Sequence, residues 1–312
     1  MVDRKVCVLG HAGMFGSSLV RRLRSGGYTK IVTKSRSDLD LLDQETVFEF
    51  LRRERPDYIF LAAARVGGIQ ANARYPADFL YENTQIQCNV IWGAFRAGIH
   101  DMCFLGSSCI YPRDCPQPIR EKYLLSGALE HTNEPYAIAK ISGIKMCEAI
   151  NRQYGTRYVS VLPTNLYGPN DNYDLDNSHV LPALIRKTYE AKEYRKNKLV
   201  VWGSGNPRRE FLHVDDAADA CVFLMEKEIH EGLYNIGCGS DISIRDLALT
   251  VMDAAEFKGE LVFDDTKPDG TPRKLLDVSR IRGLGWSPRI ELRHGIKLTF
   301  EEYVNSVSRA TA

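Results

Sequence analysis

Tyr136 and Lys140 stand at positions i and i+4 of Asn133-Glu134-Pro135-Tyr136-Ala137-Ile138-Ala139-Lys140. On a helix that spacing sets a phenol and an ammonium on one face. Asn133 suits a helix N-cap and Pro135 a first turn, so the pair belongs at a helix entrance. An adjacent ammonium favours the phenolate, easing proton exchange with a substrate oxygen near neutrality. A second reactive segment, Gly106-Ser107-Ser108-Cys109-Ile110-Tyr111-Pro112, closes an apolar run, where open α/β sheets place their active sites. In extended chain Ser107 and Cys109 point the same way. Ser107 can then donate to a carbonyl while Cys109 offers a thiol to the same pocket.

A third segment, Gly10-His11-Ala12-Gly13-Met14-Phe15-Gly16, follows an apolar run and opens an amphipathic one. Its G-x-x-G-x-x-G spacing lets the chain turn tightly, admit a pyrophosphate against backbone N–H groups, and pack a helix on a sheet. Where NAD users often carry an acid for the ribose hydroxyls, this chain has Lys34-Ser35-Arg36-Ser37-Asp38. Cations and hydroxyls there suit a 2′-phosphate, which favours NADP(H) over NAD(H).

The elements that must carry these residues alternate in type. Apolar runs at 5–9, 30–34, 58–62, 102–106 and 158–162 are separated by amphipathic stretches at 14–25, 44–53, 77–97 and 135–154. That rhythm predicts βαβ units around a parallel sheet, and near-continuous hydrophobicity in the strands predicts helices on both faces. The expected class is α/β, a Rossmann-type doubly wound parallel sheet with a smaller C-terminal α/β substrate-binding domain. Residues 1–165 form the dinucleotide-binding domain, with 211–238 returning to it; 166–210 and 239–312 form the substrate-binding domain. In the second half the pattern gives helices at 181–193, 244–255 and 291–307 and a strand at 199–202. The stretches 215–226 and 232–236 return to the sheet.

Composition narrows the function classes. The 312 residues carry 41 basic and 40 acidic side chains, and a net charge of +1 supplies no field to hold nucleic acid or an anionic membrane. Runs such as 59–64 fall far short of a membrane span. Asp3, Arg4 and Lys5 lead directly into the first strand without a signal peptide, so the expected location is cytoplasmic. The eight cysteines lack any C-x-x-C pair and read as reduced thiols, with no metal site.

Together these motifs resemble the extended short-chain dehydrogenase/reductases, and more narrowly the epimerase-reductases acting on GDP-4-keto-6-deoxy-D-mannose. The similarity spans nearly the whole chain. It rests on the segments holding Ser107 and Tyr136 and on three more: Ala62-Ala63-Ala64-Arg65-Val66-Gly67-Gly68-Ile69, Pro163-Thr164-Asn165-Leu166-Tyr167-Gly168-Pro169 and Pro268-Asp269-Gly270-Thr271-Pro272-Arg273-Lys274.

The resemblance implies that a C4 ketone acidifies the hydrogens on C3 and C5. One site then inverts both centres and reduces the ketone with NADPH, giving GDP-L-fucose. It implies Cys109 as base and His179 as acid, with Ser107 and Tyr136 on the C4 oxygen. Tyr136 delivers the final proton, while Lys140 binds the nicotinamide ribose and lowers the tyrosine pKa. For the cofactor it implies the whole glycine turn, then Arg36, Ser37, Asp38, Leu39, Asp40 and Leu41. Further along it adds Leu105, Gly106, Ser107 and Ser108, then Lys140, the four residues Pro163, Thr164, Asn165 and Leu166, and His179. For the GDP-sugar it implies Lys187, Trp202, Arg209 and Asp277. A homodimer through the helices at 77–97 and 135–154 is a further implication.

Two positions depart from that pattern. The family usually carries Arg where this chain has Ala12, which leaves Arg36, with Lys34 or Ser35, to meet the 2′-phosphate. Lys187 stands where Arg is usual, and bidentate geometry is lost there. On residues alone, a 4-epimerase or 4,6-dehydratase recycling bound NAD also suits the fold. A dehydratase needs an acidic residue near Cys109, and Ser107-Ser108-Cys109-Ile110 supplies none. A silent NADP-binding sensor or scaffold has no need of an acid and base pair.

Overall fold

Val6, Cys7, Val8 and Leu9 are all buried, as are Tyr58, Ile59, Phe60 and Leu61, because helices shield both faces of these strands. The computed structural model describes residues 2–175, 177–229, 231–267 and 269–311. Pro268, the first residue of one motif above, lies outside them.

The first half runs β1 (Val6–Leu9), α1 (Met14–Ser25), β2 (Ile31–Val32), α2 (Gln44–Glu54), β3 (Tyr58–Leu61), α3 (Ile69–Arg74), α4 (Pro76–Arg96), β4 (Asp101–Leu105), α5 (Glu134–Tyr154) and β5 (Arg157–Pro163). It continues through β6 (Asn165–Tyr167), α6 (Val180–Glu193), β7 (Lys198–Trp202), β8 (Arg208–Arg209), β9 (Phe211–His213), α7 (Val214–Glu226) and β10 (Gly232–Ile236). The remainder is β11 (Ile242–Ser243), α8 (Ile244–Ala254), β12 (Glu260–Asp264), β13 (Arg273–Lys274), α9 (Ser279–Gly283) and α10 (Leu292–Thr311).

Six strands form a parallel sheet in the order β10-β5-β4-β3-β1-β2. Chain order reverses between the neighbours β1 and β3, so their C-terminal ends, with that of β4 beside them, open onto the crevice expected of a doubly wound sheet. Gly232–Ile236 does pair with β5, and α7 packs on α1, as the pattern required. Two apolar clusters result. The larger surrounds the main sheet, and the smaller joins Leu181, Ile185, Val201, Phe211, Leu247 and Ile296.

Periodicity located the long elements within a residue or two except at the end of the last helix, and the short ones diverge. The second strand is only Ile31–Val32 rather than 30–34, and the last helix runs to Thr311 rather than 307. Helix α3 and the two-residue strands β8, β11 and β13 carry no periodic signal, because ladders that short exist only where tertiary packing aligns them. Among the described residues no helix is long and apolar enough to cross a membrane, and no three His, Cys, Asp or Glu side chains are grouped to hold a metal.

The glycine turn shows why its spacing is required. Gly10 has φ +92°, and a Cβ there would lie 2.6 Å from the Ala63 nitrogen. A Cβ on Gly16 would sit 2.0 Å from the Gly10 carbonyl oxygen, so helix and turn touch backbone to backbone. Gly16→Ala should therefore cost at least the ~1–3 kcal/mol of an overpacked core. Thermal unfolding should show a midpoint several degrees lower, and an unchanged midpoint would mean the turn yields freely.

Candidate active site

The C-terminal ends of β1, β4 and β5 open into one cavity of about 760 Å³. At one end lie all seven residues of the glycine turn, with Lys34, Ser35 and Arg36 beyond β2 and then Leu39, Asp40 and Leu41. At the other lie Ser107, Cys109, Tyr136 and His179. Between them the wall includes Leu105, Gly106 and Ser108 after β4, and Pro163, Thr164, Asn165 and Leu166 after β5.

Ser107 and Cys109 meet, but for a different reason from the extended-chain expectation. After β4 the chain enters a single 3₁₀ turn, Ser108–Ile110, with Ser107 as its cap. The Ser107 hydroxyl accepts from the Cys109 N–H at 3.3 Å and donates to the Cys109 sulfur at 3.1 Å. A strand would have set the two side by side; the turn folds one onto the other. Burial pushes the thiol above its ordinary value, opposed by the Lys274 charge, by the Ser107 hydrogen bond and by Lys140.

Asn133 precedes α5, yet its side chain forms no cap bond. A 3₁₀ turn over His131–Asn133 feeds the chain into the helix with Asn133 at φ −127° and ψ 15°, which is not the extended cap conformation. Its Oδ1 is buried without a hydrogen-bond partner beside the cavity. Tyr136 enters the cavity from the first turn of α5, its ring edge-on to Phe79 at 6.2 Å.

The expected lowering of the Tyr136 pKa by Lys140 is not what the geometry gives. Lys140 is 3% exposed, and its ammonium donates to the Leu105 carbonyl at 2.9 Å rather than to the phenol. The ammonium lies 6.0 Å from the Tyr136 ring centre. Burial accordingly pushes the phenol up, with Cys109 adding to the rise and Ser107 opposing it. Burial also pulls Lys140 down to about 8, with Cys109 opposing. Lys140 sits behind Tyr136 and ties α5 to the end of β4.

His179 is the residue before α6 and forms no side-chain cap bond, which leaves its imidazole free for the cavity. It keeps an open face there, yet the surrounding chain disfavours the imidazolium and lowers its pKa. Burial thus leaves a thiol and a neutral imidazole as the resting pair.

The remaining expected residues lie off this cavity. Ser37 and Asp38 form a small turn with Ser35, whose hydroxyl is 2.8 Å from that of Ser37 and donates to Asp38 at 2.7 Å. Lys187 stands 5.0 Å from the Trp202 ring, and Trp202 is 51% exposed. Arg209 donates to the Arg208 carbonyl and feels the Asp269 carboxylate. Asp277 also lies off the cavity, where it accepts from Arg120 at 3.1 Å and from the Ser279 N–H at 2.9 Å. The acid that does join the Trp202 loop is Asp269, which accepts from the Ser204 N–H and hydroxyl at 2.9 and 2.6 Å.

Lys274 was quoted only as the end of a motif, yet it lines the cavity with Cys109. Its signal was the second of two adjacent basic residues, Arg273 and Lys274, at the end of a stretch with Gly and Pro, which spacing alone cannot assign to a site. Asn72 and Ser178 also line the cavity, and among the described residues Asn72 Oδ1 and Ser178 Oγ have no hydrogen-bond partner.

A parallel sheet with a glycine turn after β1, and a Ser, Tyr and Lys set after β4 and on α5, defines a dinucleotide-dependent enzyme of the epimerase and dehydratase class. Residues 6–237 match the model of the NAD dependent epimerase/dehydratase family, and the chain belongs to that family. It is 53% identical to GDP-L-fucose synthase 1 of Arabidopsis thaliana, over 97% of this chain and 94% of that one. It is 49% identical to the GDP-L-fucose synthase of Escherichia coli K12, over 99% of each. Among solved structures, a GDP-L-fucose synthetase of Naegleria fowleri bound to NADP superposes with a TM-score of 0.91. That protein is 28% identical, with 99% of this chain and 95% of that one covered.

Proposed function

We propose that this chain converts GDP-4-keto-6-deoxy-D-mannose to GDP-L-fucose, inverting C3 and C5 and then reducing the C4 ketone with NADPH. The observation that carries this is a single cavity with a dinucleotide turn at one end and Ser107, Cys109, Tyr136 and His179 at the other. The cofactor fits the residues present: Gly10 and Gly16 let the turn pack backbone to backbone at the cavity wall, and Lys34 and Arg36 line the cavity where a 2′-phosphate would be met. NADPH, when bound, supplies the hydride.

Ser107 and Tyr136 hold the C4 oxygen and stabilise the negative charge that forms on it in each step. Cys109 takes the proton from the ring carbon, the electron pair moves to the C4 oxygen as an enolate, and His179 returns a proton on the opposite face. The working thiolate and imidazolium differ from the resting pair by one proton moved from Cys109 to His179. Tyr136 gives its proton to the C4 oxygen in the reduction. Lys140, already fixed by Leu105, holds the nicotinamide ribose. Lys187, Trp202 and Arg209 receive the GDP-sugar, with Asp269 closing the loop at Trp202.

The same reading makes the protein a cytoplasmic homodimer through α4 and α5, where Tyr81 and Ile138 remain 65% and 45% exposed. Residues 1–165 with 211–238 bind the dinucleotide, although the larger apolar cluster also takes in Leu276, Val278, Ile281 and Trp286 and the smaller one Phe211.

The direct test mixes the protein with GDP-4-keto-6-deoxy-D-mannose and NADPH or NADH, follows cofactor absorbance, and identifies the sugar by NMR. Stoichiometric NADPH oxidation with GDP-L-fucose as product is expected; oxidation of neither cofactor would point to a redox-neutral epimerase. Arg36→Ala should weaken NADPH binding about tenfold or more through loss of a charge-assisted phosphate contact, leaving NADH binding unchanged. Equal losses for both cofactors, measured by fluorescence titration, would remove Arg36 from the 2′-phosphate.

A further inference from the structure

Cys109 faces an unusual problem for a base, since burial favours the thiol and the chemistry needs the thiolate. The hydroxyl of Ser107 helps, but a hydrogen bond from a neutral donor does not replace a cation. Two ammonium groups stand near enough to act on the sulfur, those of Lys140 and Lys274. Lys140 is already engaged by the Leu105 carbonyl and faces the ring of Phe104 at 5.0 Å. Lys274 is partly buried in the cavity wall, and among the described residues its ammonium has neither a hydrogen bond nor an ion pair.

The backbone around Lys274 is held on every side. Strand β13 pairs with β8, setting Lys274 against Arg209. The next residue, Leu275, donates its N–H to Gln117 Oε1 at 2.8 Å and accepts from the Ile119 N–H at 2.7 Å. Leu276 donates to the buried carboxylate of Glu210 at 3.0 Å. The ammonium is therefore carried to the Cys109 end of the cavity by a fixed frame.

We propose that Lys274 is the positioning cation that stabilises the working thiolate of Cys109 in the cavity, a role separate from that of Lys140 in the cofactor region. The inference rests on the reading of Cys109 as the base. The groups acting on Cys109 are Lys274, Lys140, Ser107 and Tyr136. Around Lys274 the charges are Arg209, which disfavours its ammonium, and Cys109, Cys115 and Glu130, which favour it. Burial lowers the lysine pKa and raises the thiol pKa, and the charge of each group opposes the burial of the other. In the step itself the sulfur gains the ring-carbon proton, the C4 oxygen gains the electron pair, and Lys274 keeps its own protons.

The experiment compares the full chain with Lys274→Met, Lys274→Arg and Cys109→Ser. Two readouts are taken: the pH dependence of Cys109 alkylation by iodoacetamide, followed by peptide mass spectrometry, and deuterium uptake at C3 and C5 of the keto-sugar in heavy water without NADPH. Met keeps the stem that packs in the wall, and unchanged NADPH affinity would confirm the fold. Lys274→Met is expected to move the alkylation profile up by about one pH unit and to slow deuterium uptake at neutral pH about tenfold through kcat, with recovery at higher pH. Lys274→Arg should restore most of both. An unshifted alkylation profile in Lys274→Met would overturn the proposal, and a loss confined to KM would make Lys274 a diphosphate contact instead. Normal deuterium uptake by Cys109→Ser would overturn the base assignment, while the alkylation profile still decides whether Lys274 acts on the sulfur.

Discussion

Cys109→Ser is expected to bind NADPH as tightly as the unaltered chain and to lose deuterium uptake at C3 and C5 by about 10²–10⁴-fold, the range for loss of a general base. The sulfur lies on the sugar side of the cavity, while the glycine turn and Arg36 at the other end are untouched. A serine hydroxyl in the same place is far too weak an acid to ionise near neutrality, and burial would raise it further. The Ser107 hydroxyl, 3.1 Å from the sulfur, would find an oxygen acceptor in its place, so the fold should hold. Any reduced sugar formed should keep its starting configuration at C3 and C5. NMR of the product and of the recovered keto-sugar checks this, and full uptake would assign the proton transfer to another group.

Tyr136→Phe should fail differently, because the phenol serves both stages. It holds the C4 oxygen while the enolate forms and gives its proton when the ketone is reduced, so deuterium uptake and hydride transfer should both fall. The hydride step, followed by single-turnover NADPH oxidation, should slow by about 10²–10⁴-fold. Phenylalanine keeps the edge-on contact with Phe79, and Lys140 keeps its bond to Leu105, so NADPH affinity should change little. The discriminating result is the pair of effects: Cys109→Ser removes proton exchange and spares the hydride step, while Tyr136→Phe impairs both. A Tyr136→Phe variant that reduced at the normal rate would place the proton donor elsewhere.

The burial of this site makes the comparison informative. The phenol is pushed up, the thiol is pushed up and the imidazole is pushed down, all with burial as the leading cause. In a site built this way the thiol, phenol and imidazole are neutral at rest, while Lys140, pulled down only to about 8, keeps its charge at neutral pH. That favours a reaction in which protons move between neighbours over one that draws free ions from solvent.

The amino-acid sequence by itself determined the long elements and their class. Continuous burial of residues such as Val6–Leu9 and Tyr58–Leu61 is a local property of the chain, and helix α1 begins and ends where its periodicity does. The glycine turn was legible for the same reason, since Gly10 and Gly16 answer to contacts made within a few residues or with the adjacent strand. Tertiary structure alone decided the rest. It turned Ser107 onto Cys109 through a 3₁₀ cap and aimed Lys140 at Leu105 instead of Tyr136. It tied Asp277 to Arg120 and carried Lys274 into the cavity on a two-residue strand. Apart from the Ser107 cap, which joins residues two apart, those outcomes depend on which distant part of the chain is brought alongside, and hydrogen bonds and Coulomb forces act over about 3 Å whatever the spacing along the chain.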